Sequence, residues 1–135
     1  MEGKSFLDTN IFVYAYSTTE PDKRKVALKL LSLDKVVIST QVVNEFIWVM
    51  NRKFGVERQK LRIVGSRLLE MFEVASIDVG TVRKALTIFV DYNYSLWDSL
   101  IIASALENGC SILYTEDMQH GQMVDGRLRI VNPFV

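Results

Sequence analysis

Four acidic residues stand among apolar residues or directly after an apolar run, where carboxylates are uncommon. Asp8 follows the apolar run 5–7, and Asp117 lies just after the run 111–115. Glu45 lies within the apolar segment 42–49, and Asp98 lies within the segment 95–102. A carboxylate rarely stays in such surroundings unless it is paired or binds a metal ion. Oxygen ligands without histidine or cysteine indicate a hard divalent cation, Mg²⁺ or Mn²⁺.

Each of these acids also has a purely structural interpretation. Asp8 could cap a short helix that follows it, since aspartate is among the best N-cap residues. Ser95 and Asp98 have the spacing of a capping box. Glu45 could form a buried salt bridge, and Asp117 could be one of a solvated pair of loop acids. Taken one at a time, these alternatives stay open.

The hydrophobic pattern predicts an alternation of strands and helices that would position the acids. Strands are predicted at 5–7, 36–38, 74–77, 110–114 and 128–131, and helices at 11–16, 23–33, 41–53, 56–72, 79–90 and 95–107. Helices between successive strands are typical of parallel pairing. We therefore predict an α/β fold, a three-layer α/β/α sandwich with a mostly parallel five-stranded sheet, in one domain over residues 1–135.

This architecture would bring the four acids together. Asp8 and Asp117 are predicted at the carboxyl ends of strands, and Glu45 and Asp98 in the first turns of helices that follow. In open α/β sheets these positions border the crevice where ligands bind. Four converging carboxylates would repel one another unless a cation lay among them. Such a cation can polarise a phosphodiester and activate water, so the pattern predicts a metal-dependent phosphoryl-transfer site.

Composition excludes several other classes of protein. The chain has 135 residues, and its 16 Lys and Arg balance 16 Asp and Glu, which argues against a strongly basic wrapper of nucleic acid. Cys110 and His120 are the only residues of their types, so neither an internal disulfide nor a Cys/His metal site is available. Residues 1–8 lack the pattern of a signal peptide, and no apolar run is long enough to cross a membrane. We expect a cytoplasmic protein with no membrane association.

Four short motifs containing these acids resemble those of the PIN-domain ribonucleases, and among them the VapC-type toxins of type II toxin–antitoxin pairs. The motifs are Phe6-Leu7-Asp8-Thr9-Asn10, Asn44-Glu45-Phe46, Trp97-Asp98-Ser99-Leu100-Ile101 and Tyr114-Thr115-Glu116-Asp117-Met118-Gln119-His120-Gly121-Gln122. They occur in the family's order and spacing over essentially the whole chain.

The resemblance implies a PIN-like fold and a Mg²⁺- or Mn²⁺-dependent endoribonuclease. It implies a homodimer that is inhibited by a small cognate antitoxin inserting a peptide near the acidic pocket. By the same resemblance, Asp8, Asp98 and Asp117 are the expected metal ligands, and Glu45 is expected to hold or deprotonate a water molecule.

Further polar residues of these motifs match supporting positions. Asn10, Thr115 and Glu116 are expected to support and orient the ligand carboxylates, as residues around a metal's ligands commonly do. His120 is expected to be a surface or turn residue rather than a general base.

Three other functions compete with the nuclease. A phosphatase would normally need an Asp-x-Asp pair after the first strand, where this chain has Asp8-Thr9-Asn10. A phosphoacceptor receiver domain could use Asp78 after the third strand. A non-catalytic RNA-binding PIN-like module would not need the complete set of acids.

The helical pair around residues 41–72 carries a basic cluster, Arg52, Lys53, Arg58, Lys60, Arg62 and Arg67. These residues could contact phosphates or form a solvated helix face. The apolar positions of the same pair fit either a groove for an amphipathic antitoxin helix or an ordinary core.

Overall fold

The computed structural model describes residues 3–135 and contains one six-stranded sheet. The strands are β1 (Lys4–Leu7), β2 (Val36–Ser39), β3 (Glu73–Ala75), β4 (Cys110–Tyr114), β5 (Met123–Val124) and β6 (Leu128–Val131). Their order across the sheet is β3-β2-β1-β4-β6-β5, and every neighbouring pair is parallel except β5 with β6. Met1 and Glu2, the start of the segment that bears on a signal peptide, lie outside the described residues.

Six helices connect the strands. They are α1 (Thr9–Tyr16), α2 (Pro21–Leu31), α3 (Thr40–Arg52), α4 (Arg58–Met71), α5 (Val79–Tyr92) and α6 (Leu96–Glu107). Within residues 3–135, none of them combines the length and the apolar character that crossing a membrane requires.

The five predicted strands form the parallel part of the sheet, and β5 is an addition. Two residues are too few to show a period in the sequence. The turn from Val124 to Arg127 is closed by a 3.1 Å backbone hydrogen bond, and both central residues, Asp125 and Gly126, have positive φ. Asp-Gly is the pair that such hairpin turns favour, so this dipeptide was the available signal for the extra strand.

The order of the strands explains the three layers. The chain moves from β1 to β2 to β3 in one direction and then returns to place β4 on the other side of β1. With right-handed crossovers, the helices of the first two steps lie on one face of the sheet and those of the return on the other. Accordingly α1 packs on α2 and α3, α3 packs on α4, and α5 packs on α6. The predicted sandwich is confirmed, and its strand order reverses between β1 and β4.

Helix α6 is apolar around nearly its whole circumference, and all its residues from Ser99 to Leu106 are buried. A helix of this kind is stable only when it is enclosed by other elements. It begins at the cap Ser95, whose Oγ accepts a hydrogen bond from the backbone N–H of Asp98 at 3.1 Å. The cap therefore fixes the first turn, which carries one of the four acids.

We expect Ser95→Ala to lower the free energy of unfolding by about 1 kcal/mol, because it leaves a backbone N–H of the first turn of α6 without its partner. Urea denaturation followed by circular dichroism measures this change. Ser95→Thr keeps a hydroxyl acceptor and is the matched control, expected to lose much less. Equal losses in the two variants would show that the cap does not stabilise α6.

Candidate active site

Asp8 lies at the carboxyl end of β1 and is almost fully enclosed, with 5% of its surface exposed. Its Oδ1 accepts a hydrogen bond from the backbone N–H of Thr9 at 2.7 Å, and its Oδ2 accepts one from Thr115 Oγ1 at 2.8 Å. The first bond is the helix cap considered from the sequence, since Asp8 is the N-cap of α1. Capping and membership of the acidic site are therefore compatible for this residue.

The environment of Asp8 disfavours its charged form. Burial raises the pKa of this carboxyl from 3.8 to about 7, although the hydrogen bonds from Thr115 and Thr9 act in the opposite direction. The charges of Asp98 and Glu45 raise it further. The structure thus brings three of the four acids, from three separate elements, into electrostatic contact.

Glu45 is half-buried and projects from α3, in the second turn of that helix rather than the predicted first turn. The helix begins at Thr40, directly after β2, so Glu45 lies more than one helical turn after its first residue. Glu45 Oε1 accepts a hydrogen bond from Thr9 Oγ1 at 2.8 Å, and Oε2 accepts one from Gln41 Nε2 at 3.4 Å. No salt bridge to Glu45 occurs among residues 3–135, so the buried ion pair considered from the sequence is absent there.

Asp98 occupies the first turn of α6, as predicted. Burial raises the pKa of its carboxyl, and the neighbouring charge of Asp117 raises it further. Ser95 caps the helix, but only the half of the capping box in which Ser95 accepts from the Asp98 N–H is formed within the described part of the chain.

Asp117 lies in the loop after β4 and is the most exposed of the four acids. Its Oδ2 accepts a hydrogen bond from Asn10 Nδ2 at 3.0 Å, and its backbone N–H donates to Thr115 Oγ1 at 3.2 Å. The same Thr115 hydroxyl donates to Asp8. Asn10 and Thr115 therefore join the ends of β1 and β4 and orient the acids that follow each strand.

Glu116 points away from the other acids into a half-buried ion pair. Its Oε1 accepts a hydrogen bond from Tyr14 Oη and its Oε2 one from Lys23 Nζ, both at 2.5 Å. Burial would raise the pKa of this carboxyl, but the hydrogen bonds from Lys23 and Tyr14 outweigh it and the pKa is lowered. The backbone N–H of Glu116 also donates to Asn10 Oδ1 at 3.4 Å. Glu116 thereby anchors the loop that carries Asp117.

Four residues of this network were not assigned a role from the sequence. Thr9 and Gln41 hold Glu45, while Tyr14 and Lys23 hold Glu116. Thr9 stands next to Asp8 in the sequence and could have been suspected from that position. Gln41, Tyr14 and Lys23 lie at partly exposed helix positions, and nothing in the neighbouring sequence indicates that they contact these acids.

The donor set of the site suits a divalent cation. Asp8, Glu45, Asp98 and Asp117 form no salt bridge among residues 3–135, so their charges have no protein counter-ion there. Gln41 Oε1 beside them is buried without a hydrogen-bond partner in the described residues. Within residues 3–135 no three acidic, imidazole or thiol side chains are already grouped around one point.

The residues invoked for other functions are engaged elsewhere. Asn10 stands where a phosphatase would have its second aspartate, and it donates to Asp117. Asp78 follows the edge strand β3 and caps α5, accepting from the backbone N–H of Thr81 at 3.0 Å. Asn10 therefore supports an acid of the site rather than supplying a second carboxylate, and Asp78 serves as a helix cap.

His120 is exposed, as expected, and does not serve the acids. Its Nδ1 accepts a hydrogen bond from the backbone N–H of Asn132 at 2.9 Å, which ties the loop after β4 to the C-terminal segment.

The basic cluster of the α3–α4 pair is exposed and divides into three parts. Arg52, Arg58 and Arg62 line a cavity of about 650 Å³ between the two helices, which we call the α3–α4 groove. Lys53 lines a different cavity, and Lys60 and Arg67 line neither of the two.

Comparison with solved structures gives the same fold at low sequence identity. A toxin–antitoxin complex from Klebsiella pneumoniae contains a chain with a TM-score of 0.69 and 21% identity, covering 96% of this chain and 98% of that one. VapC20 from Mycobacterium tuberculosis, described as a sarcin–ricin loop cleaving toxin, has a TM-score of 0.68 and 19% identity over 84% of this chain and 92% of its own. VapBC2 from Rickettsia felis, bound to a DNA fragment from its promoter, has a TM-score of 0.66 and 17% identity over 95% and 98%.

The comparison with curated proteins found no match. The PIN domain family model, in contrast, matches residues 5–124. That range contains the four acids, the residues that hold them and most of the sheet. Since the match covers most of the chain, the protein belongs to the PIN domain family.

Proposed function

We propose that this chain is a divalent-metal-dependent endoribonuclease and the cytoplasmic toxin of a type II toxin–antitoxin pair. The observation that carries the proposal is the group of four coupled carboxylates at the point where the strand order reverses, without a counter-ion among the described residues. Ligands of open α/β sheets bind at such points. A site of this charge suits a cation that in turn binds phosphate.

Asp8, Asp98 and Asp117 would hold Mg²⁺ or Mn²⁺. When bound, such an ion supplies charge that polarises a phosphodiester and lowers the pKa of water. Glu45 would orient the attacking water and accept its proton, and the hydrogen bonds from Thr9 and Gln41 to its two oxygens support this role. The water would then attack phosphorus in line with the leaving oxygen of the RNA chain.

The proposal of RNA as substrate is supported by membership of the PIN domain family and by the likeness to VapC20, described as cleaving the sarcin–ricin loop. The complete acid set favours this function over a non-catalytic RNA-binding module.

We propose that the cognate antitoxin places a helix in the α3–α4 groove. Several of the neighbouring structures are toxin–antitoxin complexes. The groove has an apolar floor that includes Ile47 and Leu61, and Arg52, Arg58 and Arg62 stand among its lining residues. An amphipathic helix with acidic residues flanking its apolar face would match both features.

We also propose that the chain forms a homodimer through α5. This helix exposes an apolar stripe of Val79, Val82, Leu86, Phe89 and Val90. Their spacing places them on one side of the helix. A two-fold pairing centred on Leu86 would set Val82 of one copy against Val90 of the other, and such self-complementary contacts are typical of isologous dimers.

We expect Asp98→Asn to reduce metal-dependent RNA cleavage by about a hundredfold or more, because it removes a charged ligand while keeping the shape of the side chain. Cleavage of a mixed RNA substrate by purified protein, with Mg²⁺, Mn²⁺ or EDTA and with any co-purified antitoxin removed, measures this. Asp34→Asn, at an exposed loop position, is the matched control and should keep full activity. Cleavage in EDTA, or equal activity of the two variants, would contradict the proposal.

The raised pKa of Asp8 predicts how the stability of the metal-free protein depends on pH. Between the unfolded value of 3.8 and the folded value of about 7, the folded state holds the proton more tightly. The contribution of Asp8 to stability is therefore complete at low pH and is lost as the pH rises through about 7.

Relative to Asp8→Asn, the free energy of unfolding of the wild type in EDTA should fall as the pH rises from about 4 to about 7. Urea denaturation across this range measures the difference. Mg²⁺ binds the deprotonated carboxyl, so it should raise the melting temperature of the wild type more at about pH 8 than at about pH 6. If the difference in the free energy of unfolding between the wild type and Asp8→Asn does not change with pH, Asp8 does not have a raised pKa in the folded protein.

We expect Leu86→Glu to convert the dimer to a monomer, since it places a charge at the centre of the apolar stripe. Size-exclusion chromatography with light scattering gives the mass. Leu69→Glu changes an equally exposed leucine in the α3–α4 groove and should leave the dimer intact. If only Leu69→Glu yields a monomer, the groove is the dimer interface instead.

A further inference from the structure

A second cavity, of about 470 Å³, opens beside the acidic site. Asn10 and Asp117, which belong to that site, also line this cavity. The last turn of α3 and the turn after it supply another wall, with Val49, Lys53 and Phe54. We call this space the flanking cavity. Its volume is within the range of about 300–1,000 Å³ that is usual for small-ligand sites.

The lining of the flanking cavity combines apolar surface, an aromatic ring and hydrogen-bonding groups. Val13 and Val49 contribute apolar surface, and Phe54 contributes a partly buried ring. The Ser17 and Thr19 hydroxyls, 2.9 Å apart and bonded to each other, add polar atoms. A nucleoside has the same combination, since its base has flat apolar faces and polar edges.

The charges around the cavity leave one cation available. Lys23 neutralises Glu116, at 2.5 Å, and approaches Glu20 at 3.7 Å. Lys53, in contrast, is exposed and takes part in none of the salt bridges among residues 3–135. Its ammonium lies 5.8 Å from the centre of the Phe54 ring. Proteins bind single-stranded nucleic acid by combining cationic side chains that contact the backbone with aromatic rings on which bases stack.

We propose that the flanking cavity binds the nucleotide next to the scissile phosphodiester of a single-stranded RNA, with its base against Phe54 and its phosphate at Lys53. This inference rests on the proposed ribonuclease function, since the cavity shares Asn10 and Asp117 with the acidic site. RNA suits both features of the cavity at once, since its base can stack on the Phe54 ring while its phosphate contacts the Lys53 ammonium.

Binding of a short, fluorescently labelled single-stranded RNA tests the inference, with Ca²⁺ in place of Mg²⁺ and the RNA checked for cleavage. At about 0.1 M salt, Lys53→Met should weaken binding about three- to tenfold and reduce the slope of log affinity against log salt by about 0.7, the loss of one phosphate contact. Lys29→Met, at an exposed position of α2, is the matched control and should change neither quantity.

A second variant probes the ring separately. Phe54→Leu should weaken binding about fivefold or more without changing the salt dependence, because stacking involves no counter-ion release. Since Phe54 also packs against the core, the melting temperature of the Phe54→Leu variant is measured first to establish that it folds. The Mg²⁺-induced rise in melting temperature should be the same in all three variants, because none of them alters an acid of the site.

The outcomes separate the two proposals. If the wild type neither binds nor cleaves RNA, the proposed function itself is wrong. If the wild type binds and cleaves RNA but Lys53→Met and folded Phe54→Leu behave like Lys29→Met, the nucleotide site is refuted and the cavity is left to a protein partner.

Discussion

The register between β1 and β4 is the constraint on which the site depends. These strands are parallel neighbours with Leu7 opposite Tyr114, so the residues that follow them, Asp8 and Thr115, meet at the end of the sheet. The hydrogen bond from Thr115 Oγ1 to Asp8 Oδ2 closes this junction, and both side chains are buried. A shift of one residue in either strand would turn the two side chains to opposite faces of the sheet. The other contacts of the site extend from this pair.

Around that junction the chain separates two kinds of carboxylate. Glu116 has a full set of partners in Tyr14 and Lys23, and its low pKa reflects them. Asp8 and Asp98 have raised pKa values, because burial and neighbouring acids both oppose their charge. The surroundings of Glu116 favour its charged form, whereas those of Asp8 and Asp98 disfavour theirs. Such a conflict is typical of sites where function, rather than stability, selects the residues. A bound cation would instead favour the charged forms of Asp8 and Asp98.

The proposed activities occupy separate surfaces of the chain. The acids and the flanking cavity lie at the carboxyl ends of β1 and β4, the α3–α4 groove lies between two helices on one face, and the apolar stripe of α5 lies in the opposite helical layer. The crossover rule produces this division, since it sends α1–α4 and α5–α6 to different sides of the sheet. The three proposals therefore depend on different sets of residues and can be tested with separate variants.

The elements and the candidate acids are predictable from the sequence, because both are local properties. Hydrophobic periodicity located five strands and six helices, and apolar neighbours marked Asp8, Glu45 and Asp98 as unusual. The resemblance already indicated Asn10 and Thr115 as supports, but the bonds from Thr9 to Glu45 and from Lys23 to Glu116 appear only in the folded chain. Thr9 and Glu45 are 36 residues apart, Lys23 and Glu116 are 93 apart, and Asp8 and Thr115 are 107 apart. Those contacts, and the raised pKa of Asp8, depend on strand order and register. Both result from packing the whole sheet, and no short stretch of sequence contains that information.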